Sequence, residues 1–465
     1  MRRNALIVIL AVGCLAGCTM IPRYSRPSPP IPAQWPTGPA FDAAYEGQAG
    51  PPQGQWRDFY LDDRLQKVIE LALNNNRDMR AAALNIERAR NLYRIQRAEL
   101  FPEVDASGGV IREKVPFFLS PTGKAATLGY YDVNLGVSSW EIDFFGRLRS
   151  LKESALEQYL ATWQALRSAR ISLMAEVASA YLAYAADREN LKLAQLTLAA
   201  RQGTVNLVRR RFEAGASSAL DLRQAETAME AAQVDVAGYT RSVALDENAL
   251  NLLVGTTAPP EFLPEDLSAV TPPRDFSPGL TSEQLLRRPD ILEAENQLKS
   301  FNANIGAARA ALFPRIALTT SIGTGSLELS GLFGAGSGAW TFAPQITLPI
   351  FDAGTRWASL KVAKTDRDIS LAQYEKAIQT AFREAADALA QRGTLGNQIA
   401  AQESLVEASA ATYRLSSARY LKGVDTYLTV LDAQRSLYAA QQGLIALRLA
   451  RLTNLVTLYK VLGGG

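Results

Sequence analysis

The hexapeptide Arg97-Ala98-Glu99-Leu100-Phe101-Pro102 returns 212 residues later as Arg309-Ala310-Ala311-Leu312-Phe313-Pro314, five of its six residues unchanged. The same offset pairs Asp78 with Asp290. Farther along, the offset is 208: Arg211 and Gly215 correspond to Arg419 and Gly423, Ala231-Ala232-Gln233 to Ala439-Ala440-Gln441, and Gly255 to Gly463. Two halves, roughly 78–255 and 290–463, therefore run one course, with a four-residue change of offset between Pro102 and Ile142. A repeat of this length is a duplicated domain and not a short solenoid motif. Whatever one half builds, the chain builds twice.

Each half reads as helix, two strands, a very long helix, a tight turn and a further helix, which makes the fold α+β and mostly α. The first helix is predicted from about Asp62 to Leu100, stopped at Phe101-Pro102 because proline cannot continue it. The long helix is predicted from about Leu148 to Ala214. Leu156, Tyr159, Trp163, Leu166, Leu173, Val177, Ala180 and Tyr184 fall on it at gaps mostly of three, four or seven, the spacing of one helical face. No proline interrupts it, and Gly215 suits a left-handed cap. Some 66 residues at about 1.5 Å each make a rod of roughly 100 Å. The second half repeats the rod from about Trp357 to Lys422, with shorter helices at roughly 282–312 and 426–460. Those two together match the rod in length, which predicts a cylinder wall of paired, Ala-rich helices packed in coiled-coil fashion.

The strands are expected between the first helix and the rod. Val133, Leu135 and Val137 alternate with polar or small residues, as do Ile316, Leu318, Thr320 and Ile322, and again Ile346, Leu348 and Ile350. Alternation over about ten residues is the signature of an outer-membrane barrel strand, although half of a soluble sheet reads the same way. Tyr130, Tyr131, Trp140, Phe144, Phe145, Trp340, Phe342 and Phe351 are candidates for aromatic girdles, and the loops about 112–127 and 324–338 are rich in Gly, Ser and Pro. Two strands per repeat give four per chain, whereas a bacterial barrel needs at least about eight. Unpaired backbone cannot face lipid, so several chains must share one barrel.

The chain ends and connectors divide the rest. Arg2 and Arg3, the apolar run Ala5 to Val12 and the small residues Leu15-Ala16-Gly17 before Cys18 read as a signal peptide over 1–17. Eight apolar residues fall short of the roughly 20 a helix needs to cross a bilayer. Residues 18–60 read as a Pro-rich strap, 61–255 as repeat one, 256–281 as a linker with six prolines, and 282–465 as repeat two. Cys14 and Cys18 are the only cysteines, so no disulfide braces the body. Without histidine there is no imidazole for base catalysis or zinc ligation; no catalytic residue, metal or cofactor is expected. Removal of Arg2 and Arg3 from the 49 basic residues leaves 47 against 46 acidic ones, a balance that draws no nucleic acid.

Four motifs carry a resemblance: Tyr24-Ser25-Arg26-Pro27, Leu286-Arg287-Arg288-Pro289-Asp290-Ile291, the two Phe-Pro turns, and Tyr427-Leu428-Thr429-Val430-Leu431-Asp432-Ala433-Gln434-Arg435. Over almost its whole length the chain resembles the TolC-like outer-membrane efflux proteins, in their lipid-anchored, NodT or OprM-like branch. Leu-Ala-Gly-Cys resembles a lipobox, which implies lipidation of Cys18, and Thr19 after it favours the outer membrane. The family implies a homotrimer whose twelve-stranded transmembrane barrel continues into a periplasmic helical barrel. It also implies two partners, a periplasmic adaptor and an inner-membrane, proton-driven RND transporter, in a duct that performs no chemistry.

The resemblance assigns roles at the hairpin tips, the ends expected farthest from the strands. Leu428 would form an apolar ring, Asp432 an acidic ring one turn away, and Arg435 a brace at the periplasmic gate. Ala214, Gly215, Ala216, Lys422, Gly423 and Val424 would meet the adaptor, although the family's tip motif usually has Val before its glycine. Spacing alone also allows a solvated i,i+3 pair of Asp432 and Arg435 worth a few tenths of a kcal/mol. Repeat one has Leu220 and Gln224 at the equivalent places, so any charged gate comes from repeat two. Competing readings are a duct for type I protein secretion, a lipid-anchored structural coiled coil, and a carboxylate enzyme without any matched acid pair. Five methionines and no histidine speak against a duct for soft metals.

Overall fold

The computed structural model describes residues 19–45, 55–118, 123–276 and 282–464. The signal peptide over 1–17 and Cys18 lie outside the described residues. In chain order the elements are α1 (Trp56–Phe59), α2 (Asp63–Asn75), α3 (Arg77–Ala98), β1 (Asp105–Val115), β2 (Ala126–Glu141), α4 (Arg147–Glu213), α5 (Ala219–Val254), α6 (Pro289–Ala310), β3 (Arg315–Ser326), β4 (Gly338–Thr347), α7 (Thr355–Leu421) and α8 (Tyr427–Val461). The two rods, α4 and α7, are 67 residues each and begin and end within two residues of the expected bounds.

The helix expected over Asp62–Leu100 is instead broken at Asn76. Its side-chain oxygen accepts from the Met79 N–H at 2.9 Å and its amide donates to the Leu253 carbonyl at 2.8 Å. An asparagine that offers the backbone an alternative partner ends one helix and starts the next. The region 282–312 likewise opens as a 3-10 turn, Ser282–Arg287, before α6.

The chain divides into two compact units, each drawing on both repeats. One comprises residues up to Ser28 with Asn85–Trp163 and Glu293–Glu375. It holds a four-stranded antiparallel sheet in the order β1-β2-β3-β4, so β1 and β4 are open edges. Leu135 pairs with Ile322 and Ile322 with Trp340; two residues along, Thr320 pairs with Phe342. These positions share one face, on which Leu135, Ile322, Trp340 and Phe342 are all exposed. The irregularity between Val137 and Trp140 keeps Trp140 on that face, opposite Leu318. Asp132, Asn134 and Ser321 occupy the other.

Several expectations about the strands are corrected. Pairing runs through Val115 and resumes at Ala126, so both ends of the segment 112–127 are strand, and β3 reaches Ser326. Leu348 and Ile350 fall beyond β4, since Pro349 between them has no N–H for a ladder. Phe144, Phe145 and Phe351 also lie off the strands; Phe145 stacks on Phe313 with ring centroids 4.9 Å apart.

In the same unit the strap lies along α6. Arg309 donates to the Met20 carbonyl, Asn302 to that of Pro22, and Arg26 and Tyr24 reach the buried carboxylate of Glu295. Ile21 fits where Gly306 has no side chain; a Cβ there would stand 2.6 Å from its Cγ1.

The other unit comprises Pro29–Leu84, Gln164–Leu292 and Lys376 onward. Its core joins Phe59, Tyr60 and Phe276 to Tyr459, with the Phe59 and Tyr459 rings stacked at 4.1 Å. Asp62, 3 % exposed, caps α2 through the Leu65 N–H and also accepts from the Thr271 N–H. Arg288 of the Arg-Arg-Pro-Asp motif grips Asp290 with two nitrogens, and binds Glu384 and the Val461 carbonyl. That motif is thus a clamp between the start of α6, the middle of α7 and the C-terminal end of α8.

Candidate functional site: the capped hairpin tips

Two helical hairpins, α4–α5 and α7–α8, turn in the second unit. At the first turn the Ala216 N–H bonds the Arg211 carbonyl at 2.7 Å and the Gly215 N–H that of Phe212 at 2.9 Å. At the second, Val424 bonds Arg419 at 3.0 Å and Gly423 bonds Tyr420 at 3.0 Å. This is one Schellman motif written twice, and both glycines have φ of 74°, a left-handed conformation that side chains disfavour.

The residues after the glycines differ. Ser218 and Asp221 form a reciprocal capping box at the start of α5, each side chain bonded to the other's backbone N–H, and Ser217 adds a third bond to Asp221. Burial acts to raise the Asp221 carboxyl, but the hydrogen bonds from Ser218 and Ser217 outweigh it and hold it below its usual range. At α8 the equivalent Thr426 makes no side-chain cap bond. Instead Arg419 holds Asp425 across the turn at 2.6 and 2.9 Å, and these bonds push the Asp425 carboxyl down.

The hairpins pack together through a cluster containing Val205 and Val208 of α4, Ala225 and Ala228 of α5, Tyr420 of α7, and Tyr427, Val430 and Leu431 of α8. Arg211 lies over the Tyr420 ring, 4.8 Å from its centroid. Burial pushes the Tyr427 hydroxyl up to about 12. Because one face of α8 is committed to this cluster, Leu428, Asp432 and Arg435, at spacings of four and three, form a stripe on the other. Leu428 is 48 % exposed, and Asp432 and Arg435 form an i,i+3 pair at 3.8 Å with both side chains more than half exposed. The structure thus brings the acid and the arginine together and places Leu428 one turn away, on an exposed face of α8. Ala214, Gly215, Ala216, Lys422, Gly423 and Val424 cover the two turns, and every one of them is surface.

Two features of the hairpins were not visible in the sequence. Arg201 of α4 is buried between them, 5 % exposed, its guanidinium donating to the Ala228 carbonyl at 2.7 Å and lying 5.6 Å from the Tyr438 ring centroid. Higher up, Asp187 of α4 and Asp246 of α5 face one another, and burial together with the Asp187 charge raises the Asp246 carboxyl to about 6. Both depend on contacts between helices, and neither breaks the helical pattern around it. Among the described residues no group of carboxylates forms a metal site.

Comparison with known proteins places the architecture. The chain matches the family described as outer membrane efflux protein twice, over residues 68–256 and 280–464. It is 48 % identical over 466 residues to the toluene efflux pump outer membrane protein TtgC of Pseudomonas putida, covering all of this chain and 96 % of that one. The antibiotic efflux pump outer membrane protein ArpC of the same species matches equally. Among solved structures, the open state of the Neisseria gonorrhoeae MtrE outer membrane channel superposes with a TM-score of 0.85 at 40 % identity, over 96 % of this chain and 98 % of that one. The chain belongs to the outer membrane efflux protein family, whose members are transport ducts of the outer membrane and not enzymes.

Proposed function

We propose that three copies of this chain form the exit duct of a tripartite pump, conducting small apolar molecules outward from a periplasmic adaptor and an inner-membrane RND transporter. The open sheet carries this reading. Its two free edges and its exposed apolar face are tolerable in hydrocarbon only if other copies pair with both edges. Three chains of four strands close a twelve-stranded barrel. Cys18, once acylated, anchors the strap in the same membrane. The relatives named for toluene and for antibiotics support hydrophobic substrates, and the chain's want of histidine fits them better than metal ions.

In this reading the hairpin tips are the periplasmic mouth. Residues 214–216 and 422–424 meet the adaptor, and the stripe of Leu428, Asp432 and Arg435 narrows the entrance where three chains converge. Carboxylates brought together on an axis repel and favour a bound cation. Planar-bilayer recording tests the assignment: Leu428→Ala and Asp432→Ala are each expected to raise single-channel conductance. Wild-type conductance in both variants removes the gate from this stripe. Deletion of the gene tests the transport role, with increased sensitivity to toluene and hydrophobic antibiotics as the expected outcome.

A further inference from the structure

A buried cation lies where the two hairpins pack. Arg201 is 5 % exposed, yet no carboxylate stands within ion-pair distance of it among the described residues. Among the described residues its one hydrogen bond is to the Ala228 carbonyl, and its Nε is buried without a partner. A buried guanidinium is ordinarily retained by a carboxylate that offsets its lost hydration; here a backbone oxygen and the face of Tyr438 stand in. Those contacts reach α5 and α8, so the cation sits at the seam where the repeat-one hairpin meets the repeat-two hairpin. Ser417 Oγ and Tyr420 Oη, on α7 near the same tip, are also buried without hydrogen-bond partners among the described residues. Repeat two places Ser409 at the position equivalent to Arg201, so the charge is a property of the first rod alone.

We propose that Arg201 is a positioning residue that destabilises the packing of the two hairpins, so that separation of the tips is favoured by hydration of its guanidinium. The effect on tip packing stands on the burial alone; its effect on conduction rests on the gate reading given above. In the packed hairpins the guanidinium meets fewer acceptors than water supplies, and burial, with like-charge repulsion from Arg435, disfavours its charge by more than Tyr438 and Asp235 favour it. Once the hairpins part, water satisfies all five N–H groups. The sign is opposite to that of an arginine that pins two helices together.

Hydrogen exchange on the full-length protein in detergent, read over residues 201–230 and 420–440, tests this directly. Arg201→Met keeps the stem and removes the charge. It is expected to slow exchange at both tips by about tenfold, because replacing a buried ionic group by an apolar one of similar volume is often stabilising. Arg201→Lys, which keeps a cation, is expected to leave exchange fast. Arg201→Gln provides a second neutral variant should the methionine chain fail to assemble. Exchange that is unchanged or faster in the neutral variants overturns the proposal. In planar bilayers the same variants are expected to open less often. Slowed exchange with unaltered opening upholds the role of Arg201 in packing and overturns the gate reading instead.

Discussion

Arg419 and Asp425 are joined by two hydrogen bonds across the turn of the second hairpin, whereas their repeat-one equivalents, Arg211 and Ser217, make no such pair. Arg211 turns to the Tyr420 ring and Ser217 to Asp221. The two tips therefore share one backbone motif and are held by different chemistry. Asp425 has its carboxyl held low by Arg419. A depressed carboxyl contributes stability that is present above its unfolded value, about 3.9, and is lost as pH falls through the lower folded value. Exchange at residues 419–427 is expected to be independent of pH-linked stability from neutral pH to about 5 and to accelerate below about 4. Asp425→Asn abolishes that acid dependence at the second tip and leaves the first tip, held by Asp221, as it was.

The two capping glycines are expected to resist substitution for conformational reasons alone. Among the described residues nothing lies within 4 Å of a Cβ at either Gly215 or Gly423, so space is not the obstacle. The left-handed φ of 74° is, and it costs an alanine roughly 1–2 kcal/mol. Gly215→Ala and Gly423→Ala should each lower the stability of their own hairpin by about that amount, read as local exchange, while Gly238→Ala within α5 is neutral or stabilising.

Much of the architecture was legible because the chain is written twice. The offset between Gly215 and Gly423 located both turns, and uninterrupted three-four spacing located both rods to within two residues. Asn76 was missed although Asn74-Asn75-Asn76 marks the place: its bond to the Met79 N–H is local, and only the tie to the Leu253 carbonyl needs the fold. Strand ends were misplaced because they adjoin loops: Arg112 to Val115, and Gly325 with Ser326, read as loop until their ladder partners are known. The stripe of Leu428, Asp432 and Arg435 was found through motif resemblance, and its exposure followed once Tyr427, Val430 and Leu431 proved to be core. Arg201 carried no signal, since an arginine in a rod reads as solvated until a neighbouring hairpin covers it.

The two faces of the sheet should respond differently to charge. Ile322 pairs with Leu135 on one side and Trp340 on the other, well inside the apolar face. Ile322→Lys is expected to cost about 2–4 kcal/mol in a membrane, as a lysine does near the midplane of a barrel. Ser321→Lys, one residue earlier, points to the polar face and should be tolerated. The yield of heat-resistant oligomer in outer-membrane fractions distinguishes the two; equal loss in both would mean that the apolar face does not meet lipid.

The strap should be releasable by filling its notch. Gly306→Val places atoms where Ile21 now lies, 2.6 Å from Cγ1 and 2.8 Å from its backbone nitrogen. Glu295→Gln weakens the tie to Arg26 and Tyr24 and leaves Lys299 without its acid; with Arg26 partly exposed, about 1–3 kcal/mol is expected. Arg23 is a tryptic site within the docked segment, whereas Pro27 protects the bond after Arg26. Limited trypsin digestion should cut there several-fold faster in either variant, and an unchanged rate would show that the strap does not depend on these contacts.

The acid pair between α4 and α5 gives a pH dependence of the opposite sign to that of Asp425. Asp246 is raised to about 6 by burial and by the neighbouring Asp187 charge. A carboxyl raised on folding contributes stability that is fully present below its unfolded value and is lost as pH rises through its folded one. The hairpin should therefore loosen between about pH 4 and 6 and stay at its looser level at neutral pH. Asp246→Asn removes the second charge without changing shape. At pH 7 it is expected to stabilise this stretch by about 1 kcal/mol, the shift being discounted because the site is partly open to solvent. Exchange around residues 187 and 246, corrected for intrinsic rates across pH 4–8, measures both effects. A variant that loosens the hairpin at neutral pH would mean that the Asp246 carboxylate is held by favourable contacts and not strained by its neighbour.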